Sequence, residues 1–403
     1  MQQIVLETPY RFVPPTRGRI WPAVLAGVVG PYLRRNSGVH SCEVRGAENV
    51  RASIDAGCGI ICPGNHSRPC DPMACGWLTR AVHHPFFCMA SWHTFMGSKV
   101  DRFLIRRCGA YSIYREGTDH TSLNFTVDAL VSAERPIMIF AEGAITRVND
   151  RIAPLLEGTT LIARMAARRG AKQNPPRPIV VHPVVYKYLF EGDLERVVAP
   201  VLDRLESLLQ LPQQEGPALP RVRRLEDALL ARFERQYLGG PQRAEGGAVV
   251  GDRPSRLVEH IVAPLEAEWN LTPAPGRGDF VRIQALRSRI LPDIVAGNVR
   301  GEELARRRRQ LADLYSAQII NTHPRHSLEG EQPPERIIEA VERIEEDLTD
   351  KITPLGPRHL VIEAGHAIEV GPERQRGAED PLTRLIHERL TQLLQGIERP
   401  NFS

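Results

Sequence analysis

The chain reads as an α/β protein, an αβα sandwich around a mostly parallel central sheet, with a helical insertion. Three observations predict this. Between residues 41 and 195, short apolar runs of strand length alternate with stretches of helical period, the order expected of β-α units whose crossovers cover a parallel sheet. From residue 201 to 353 the composition shifts to charged segments with helical apolar spacing. Over residues 359–370 a strand-like run returns, followed by a last helical stripe. The expected organisation is an N-terminal arm and candidate membrane-surface helix (1–40), a central domain (41–195), a helical insertion (196–355), and a strand and helix (356–400) that either return to the central domain or form a separate domain with its own small sheet.

Residues 1–19 contain Pro9, Pro14 and Pro15 and read as an extended arm. Residues 20–33 are apolar but hold Pro22, Gly27, Gly30 and Pro31 and close on Arg34-Arg35. A bilayer span takes roughly 20 apolar residues, so this stretch is too short and too interrupted to cross. It fits either a helix packed on the domain or one lying in the lipid interface with its arginines at the head groups. Cys42-Glu43-Val44-Arg45-Gly46 alternates like a short strand. Ile60-Ile61-Cys62-Pro63 is a buried strand end, and Gly64 permits a sharp turn. Asp71-Pro72 then has N-cap and N1 chemistry for a helix through Met73, Trp77 and Leu78. Strands are expected over 86–90, 111–114 and 136–140, and helices over 99–108, 121–133 and 159–169. Residues 179–185 are β-rich, and Pro183 marks a strand end or bulge because proline cannot donate to a central ladder. Beside it, His182 reads as a packed or capping histidine.

In the insertion, Leu202, Leu205, Leu208 and Leu209 share one helical face. So do Leu225, Leu229 and Phe233, and Ile337, Ile338, Val341, Ile344 and Leu348. Loops are expected over 212–220, 239–254 and 271–279. The run Arg306 to Arg309 reads as a solvated face. Leu382, Leu385, Ile386, Leu390, Leu393, Leu394 and Ile397 form the closing stripe.

The chemistry concentrates on the loop between Gly64 and Pro72, pinned by a strand on one side and a helix on the other. It carries His66, an imidazole able to take a proton near neutral pH, and Asp71, a carboxylate able to fix its tautomer and stabilise its cation. Taken alone, this spacing is also that of an ordinary polar contact in a loop.

Asn65-His66, followed by four residues and Asp71-Pro72, resembles the first motif of the glycerolipid acyltransferases, the lysophosphatidic acid acyltransferase-like or PlsC-type family. Gly46-Ala47-Glu48-Asn49 resembles the turn that precedes this motif in the family, and three more stretches follow in the family's order. Gly109-Ala110-Tyr111-Ser112-Ile113-Tyr114-Arg115 is similar to the second motif. Phe140-Ala141-Glu142-Gly143-Ala144-Ile145-Thr146-Arg147 is similar to the third, whose common form is Phe-Pro-Glu-Gly-Thr-Arg; Glu142 and Gly143 match, while Ala141, Ala144 and Ile145 depart. Residues 179–185 with Pro183 are similar to the fourth. The closing strand and helix resemble the end of such domains, with Ala367 in place of a proline.

The resemblance implies that residues 41–195 are a catalytic domain, with His66 as general base and Asp71 as its orienting group. It implies Asn65, Arg115, Glu142, Gly143, Arg147 and Pro183 as substrate-binding residues, Arg147 standing in for the cation that Ile145 lacks. The implied activity moves a fatty acyl chain from an acyl-CoA or acyl carrier protein thioester to a hydroxyl of a lysophospholipid or glycerol phosphate, as in 1-acyl-sn-glycerol-3-phosphate O-acyltransferases of phospholipid biosynthesis. No metal and no cofactor beyond the thioester co-substrate is implied. The membrane surface is an expected partner, and the expected location is cytoplasmic, peripheral to the membrane. The Ile145 departure leaves a phosphate-free acceptor open.

Composition bounds the alternatives. At 403 residues the chain is long enough for one large domain with an insertion or for two domains. Lys+Arg number 52 against 48 Asp+Glu, a formal net charge of +4, and most of the cations are arginine, suited to planar phosphate or carboxylate contacts rather than calling for nucleic acid. The seven cysteines all lie between Cys42 and Cys108, without disulfide-framework or zinc spacing, and read as reduced thiols. Glu7 and Pro9 precede any apolar region, so the start does not read as a signal peptide. No Gly-x-Ser-x-Gly elbow supports a serine hydrolase. A non-catalytic lipid-binding or tethering protein on the same fold is the competing class, and intact His66 and Asp71 weigh against it.

Overall fold

The structure is a computed structural model that describes residues 9–240, 253–272, 278–322, 328, 330–373 and 380–399. In chain order its elements are α1 (Ile20–Ser37), β1 (Val39–Arg45), α2 (Ala47–Asp55), β2 (Gly59–Gly64), α3 (Asp71–Val82), β3 (Phe87–Ser91), a 3-10 turn (Trp92–Met96), α4 (Lys99–Arg107), β4 (Ala110–Ile113), α5 (His120–Val131), β5 (Ile137–Phe140), α6 (Gly158–Gly170), β6 (Ile179–Val181) and β7 (Val184–Phe190). There follow α7 (Leu194–Leu208), α8 (Ala218–Leu238), α9 (Arg253–Glu268), α10 (Asp279–Val295), α11 (Gly301–Asn321) and α12 (Pro334–Thr349), and then β8 (Arg358–Ala364), β9 (Ile368–Glu369) and α13 (Pro381–Gly396). They form two compact units.

The sheet unit comprises Arg11–Tyr114, Asp119–Gly192 and the chain from Pro354 onward. Its mostly parallel sheet has the strand order β1-β8-β7-β2-β5-β3-β4, with β6 beside β2 and β9. The antiparallel pairs are β7 with β8 and β6 with β9; the other pairs are parallel. β8 is an interior strand between β1 and β7. Strand alternation sends successive side chains to opposite faces, and the two faces hold separate cores. Ile60, Cys62, Val184, Tyr186, Tyr188, Leu360 and Ile362 pack with Leu33 of α1, Val50 of α2 and Leu78 of α3. Ile61, Val185, Leu189 and Val361 pack on the other face with Leu130 of α5, Ala163 of α6 and Leu390 of α13. Helices therefore cover both faces of an α/β sandwich.

α1 runs unbroken despite its prolines and glycines. Pro22 lies in the first turn, where its missing N–H is not needed. The small residues permit close approach to α3: a Cβ at Gly76 would lie 3.6 Å from the Ala26 Cα, and one at Gly30 would lie 3.8 Å from the Trp77 ring. The turn expected at Gly46–Asn49 is instead the start of α2, a helix that buries only Val50 and Ser53 and so shows little apolar period. Gly46 itself has φ 68°, and a Cβ there would lie 2.0 Å from the Ala364 carbonyl oxygen, a position only glycine can fill. At the other end of the sheet unit, Arg164 of α6 grips Asp380 with Nε–Oδ2 2.7 Å and Nη2–Oδ1 2.6 Å, while Asp380 Oδ1 caps the Leu382 amide at 2.9 Å. Lys187 Nζ donates to the Leu394 and Ile397 carbonyls at 3.0 and 2.6 Å, closing the C-terminal end of α13 on β7.

The helical unit comprises Asp193–Thr353 with Arg115–Thr118 and Tyr10. Leu257, Ile261, Leu286, Ile290, Leu311 and Leu314 of α9, α10 and α11 form its main core. Leu202, Leu205, Leu225, Ile338, Val341 and Ile344 are buried, whereas Leu208 is exposed. The arginine run is not a uniformly solvated face. Arg307 is buried, pairs with Asp293 (2.8 Å) and Glu303 (2.6 Å), and lies over the Trp269 ring at 4.8 Å. A planar guanidinium can satisfy both carboxylates and still stack, which hydropathy alone does not register. Pro220 falls in the first turn of α8 rather than in a loop. Residues 1–8 of the expected arm, and most of the loops expected over 239–254 and 271–279, lie outside the described residues.

Candidate active site

Parallel strands deliver their following loops to one edge of a sheet, the usual place for ligands in such folds. β2 and β5 are neighbours with Gly64 opposite Phe140, so residues two further along each chain, His66 and Glu142, come side by side. Ala141 N–H extends the ladder by donating to the Gly64 carbonyl at 3.1 Å. Glu142 Oε2 then accepts the His66 amide at 2.5 Å, and its Oε1 accepts the Ala153 amide at 2.6 Å. One buried carboxylate thus ties the histidine loop to the loop after β5. Gly143, at φ 73°, turns the chain in a region that side-chain-bearing residues avoid. The Thr146 amide returns to the His66 carbonyl at 2.8 Å. Burial, opposed by the two amide donors and reinforced by the charge of Asp71, pushes Glu142 up to about 7.

His66 and Asp71 form the centre of the site. Asp71 is wholly buried, and its Oδ2 accepts His66 Nδ1–H at 2.9 Å and the Arg68 amide at 2.8 Å. Its Oδ1 accepts the Tyr188 hydroxyl at 2.5 Å. Asp71 is the first residue of α3 rather than its N-cap: Cys70 holds the cap position and makes no side-chain cap bond, because the Asp71 carboxylate turns back into the loop. With its Nδ1 proton directed to Asp71, the imidazole carries a lone pair on Nε2. The ring stacks on Phe140 (centroids 4.4 Å, planes 27°) and keeps a side-chain exposure of 15%, against 0% for Asp71. Such an arrangement can abstract a proton from a group that reaches the open edge of the ring.

The Asn65 side chain clasps the backbone of β7, its Nδ2 donating to the Tyr186 carbonyl at 3.0 Å and its Oδ1 accepting the Tyr186 amide at 2.8 Å. Asn149 makes the same two-point clasp on Tyr188, at 2.7 Å in each direction. β2 pairs with β7 only at Gly64 and Val184, so these two side chains continue the ladder where the strand has ended. Arg147 is buried and has φ 56°. Pro183 stands at the break between β6 and β7 and accepts the Gly365 amide at 2.8 Å. Next to it, His182 is fully buried between Ser53 Oγ (2.9 Å) and the Gly365 carbonyl (2.9 Å), and burial lowers its pKa.

The structure therefore links His66, Asp71, Asn65 and Glu142 by direct bonds or adjacency, with Gly143 and Arg147 on the loop that Glu142 anchors. It groups Arg115 differently, within the helical unit, where the Arg115 carbonyl accepts Gln284 Nε2 at 3.1 Å beside a Glu116–Arg287 ion pair of 3.5 Å. Tyr188 has contacts in the site that the motifs did not signal; the alternation of Tyr186 and Tyr188 on one strand face was the available clue. Among the described residues no three His, Cys, Asp or Glu side chains gather as a metal site. The seven cysteines are free thiols, with Cys62, Cys70 and Cys75 buried.

Residues 41–187 match the family model described as Acyltransferase. This stretch is an acyltransferase domain of the PlsC-type glycerolipid family. The match begins within β1 and ends within β7, so it includes every member of the His66–Asp71–Glu142 arrangement. The sheet that supports the acyltransferase domain also includes β8 and β9, and α13 packs on it, all of them beyond the matched residues. No curated protein matches the chain at a significant level.

Proposed function

We propose that the acyltransferase domain moves a fatty acyl chain from acyl-CoA or acyl carrier protein to a hydroxyl of a lysophospholipid or glycerol phosphate, with His66 as general base. The observation that carries this is the tautomer-fixing bond from His66 Nδ1 to buried Asp71, which leaves Nε2 as the base. In the reaction, Nε2 takes the acceptor's hydroxyl proton as its oxygen attacks the thioester carbonyl carbon. The tetrahedral intermediate collapses with cleavage of the C–S bond, and the leaving sulfur takes the proton from the imidazolium. A thioester is already activated, so positioning and proton transfer supply most of the acceleration. Arg147 and Gly143 are our candidates for contacts with the acceptor.

A lipid substrate requires access to a membrane, and two helices of the sheet unit support a peripheral mode. α1 exposes Ile20, Trp21, Val24, Val28 and Tyr32, and α4 exposes Val100, Phe103 and Leu104. The Trp21 and Phe103 rings meet edge to face at 5.5 Å beneath the Arg107 guanidinium. Aromatic rings with adjoining arginines are the composition of an interfacial surface. Among the described residues no helix is long and apolar enough to cross a membrane. We place the protein at the cytoplasmic face, a reducing compartment that suits seven free thiols.

Ile145 favours a second reading, a phosphate-free acceptor, because an apolar residue occupies the motif position of a cation. Incubation of the purified protein with labelled acyl-CoA or acyl carrier protein and a panel of lyso-lipids, glycerol phosphate and neutral alcohols tests both. Transfer to a phosphorylated acceptor that disappears in His66→Ala supports the first reading; transfer only to uncharged acceptors supports the second. Absence of transfer to every acceptor overturns both.

A further inference from the structure

Tyr188 lies 117 positions from Asp71 in sequence and belongs to none of the motif positions, yet its hydroxyl makes one of the shortest contacts of the site. The side chain is buried, and among the described residues its hydroxyl meets Asp71 Oδ1 at 2.5 Å and Cys70 Sγ at 3.4 Å. Its backbone is held from both sides: β8 pairs with it at Leu360, and Asn149 clasps its amide and carbonyl. The Arg68 guanidinium lies over the ring at 5.2 Å. A phenylalanine would fill the same apolar space, so packing alone does not account for the hydroxyl.

The carboxylate partner supplies the reason. Oδ2 of Asp71 is engaged by His66 and the Arg68 amide, and Oδ1, in a wholly buried group, takes its hydrogen bond from Tyr188. A hydrogen bond from a neutral donor to a buried carboxylate both fixes its rotation and disperses its charge. We propose that Tyr188 is a positioning residue of the His66–Asp71 pair, its hydroxyl holding the carboxylate so that Oδ2 faces His66 and drawing off part of the charge that would otherwise make the imidazole more basic. The catalytic consequence rests on the acyl-transfer reading above; the effect on His66 does not.

The charged and titratable groups around the pair are Arg68 and Cys70 from the same loop, Glu142 from the loop after β5, and Tyr186 and Tyr188 from β7. Burial and the Asp71 charge hold the Tyr188 phenol well above its ordinary value, so its hydroxyl stays a donor through neutral pH.

The test follows the His66 ring by NMR across pH in the full-length protein, its resonances assigned by their loss in His66→Gln. In Tyr188→Phe the His66 midpoint is expected to rise by about half a pH unit, since an undispersed carboxylate stabilises the imidazolium more strongly. A ring-fluorinated tyrosine at position 188, which retains every heavy atom of the original and is a stronger donor, is expected to lower it; this arm decides the matter if the phenylalanine variant does not fold. In acyl transfer, Tyr188→Phe is expected to reduce kcat about tenfold with donor KM within twofold, and to move the acid limb of kcat/KM upward with the NMR midpoint. A His66 midpoint that is unchanged or falls in folded Tyr188→Phe, or moves upward with the fluorinated residue, overturns the proposal. If the wild-type protein transfers no acyl group, the proposed reaction fails while the NMR titration still decides the role of Tyr188.

Discussion

Asp71→Asn isolates the charge of the site from its shape. The amide is nearly isosteric with the carboxylate, and the surrounding bonds fix how it must sit. Oδ2 faces two N–H donors, His66 Nδ1 and the Arg68 amide, so the amide oxygen belongs there. The NH2 then takes the place of Oδ1 and faces the Tyr188 hydroxyl, which can rotate from donor to acceptor and donate instead toward Cys70 Sγ. The bonds survive with one inverted, while the negative charge is gone. Hydrogen bonds to charged groups contribute about 1.5–3 kcal/mol against about 1 kcal/mol for neutral ones. In the proposed reaction, the loss of imidazolium stabilisation in the transition state is then about 1–2 kcal/mol, a fall in kcat of roughly five- to thirtyfold. Fold stability should change by less than about 1 kcal/mol, since removing an isolated buried charge also removes its desolvation cost. Release of free thiol from acyl-CoA in the presence of acceptor, followed at saturating donor, measures kcat; thermal unfolding monitors the fold. A folded Asp71→Asn protein with kcat within twofold of wild type would refute the role assigned to the Asp71 charge.

Glu142→Gln addresses the pH dependence of stability. The folded-state value of Glu142, about 7, lies above the ordinary 4.5, so its stabilising contribution is complete below pH 4.5 and lost as pH rises through 7. The wild type should lose roughly 3 kcal/mol relative to Glu142→Gln across that window in denaturant melts, and parallel pH curves would contradict it. Val24→Asp combined with Phe103→Asp places charge on exposed positions of α1 and α4. It should abolish co-sedimentation with anionic vesicles and leave the melting temperature unchanged; undiminished binding would remove these helices from the membrane surface. Arg164→Ala leaves Asp380 without its bidentate partner and should cost about 3 kcal/mol of stability, read by urea unfolding, with an effect under 1 kcal/mol showing the pair to be dispensable. Deleting the chain after residue 355 removes β8 from between β1 and β7 and α13 from its core, and should give insoluble protein; a soluble, monodisperse 1–355 product would contradict the importance of that interior strand.

Much of the fold was legible because local periodicity reports burial. The runs at 60–62, 137–139 and 179–181 are short, apolar and buried on both sides, as strands of a covered parallel sheet must be, and the stripe from Leu382 to Leu394 turns one face of a single helix to the core. The loop from Gly64 to Asp71 stood out because its polar residues follow a strand and open a helix. α2 escaped notice because it buries too little to show a period, and the Arg307 contacts because a buried guanidinium needs partners that hydropathy cannot name.

The pairing of His66 with Glu142 depends on Gly64 lying opposite Phe140 in neighbouring strands, a register between segments 76 residues apart. The Tyr188–Asp71 bond and the Asn149 clasp depend on β7 being adjacent to β2 beyond the point where their ladder ends, and the grouping of Arg115 with the helical unit depends on contacts made far along the chain. The sequence by itself determined which segments form strands and helices and where the histidine loop falls, because those follow from the spacing of neighbouring residues. Only the tertiary structure decided which carboxylate holds which amide and which hydroxyl serves Asp71, because strand order and register are set by packing between segments distant in the chain.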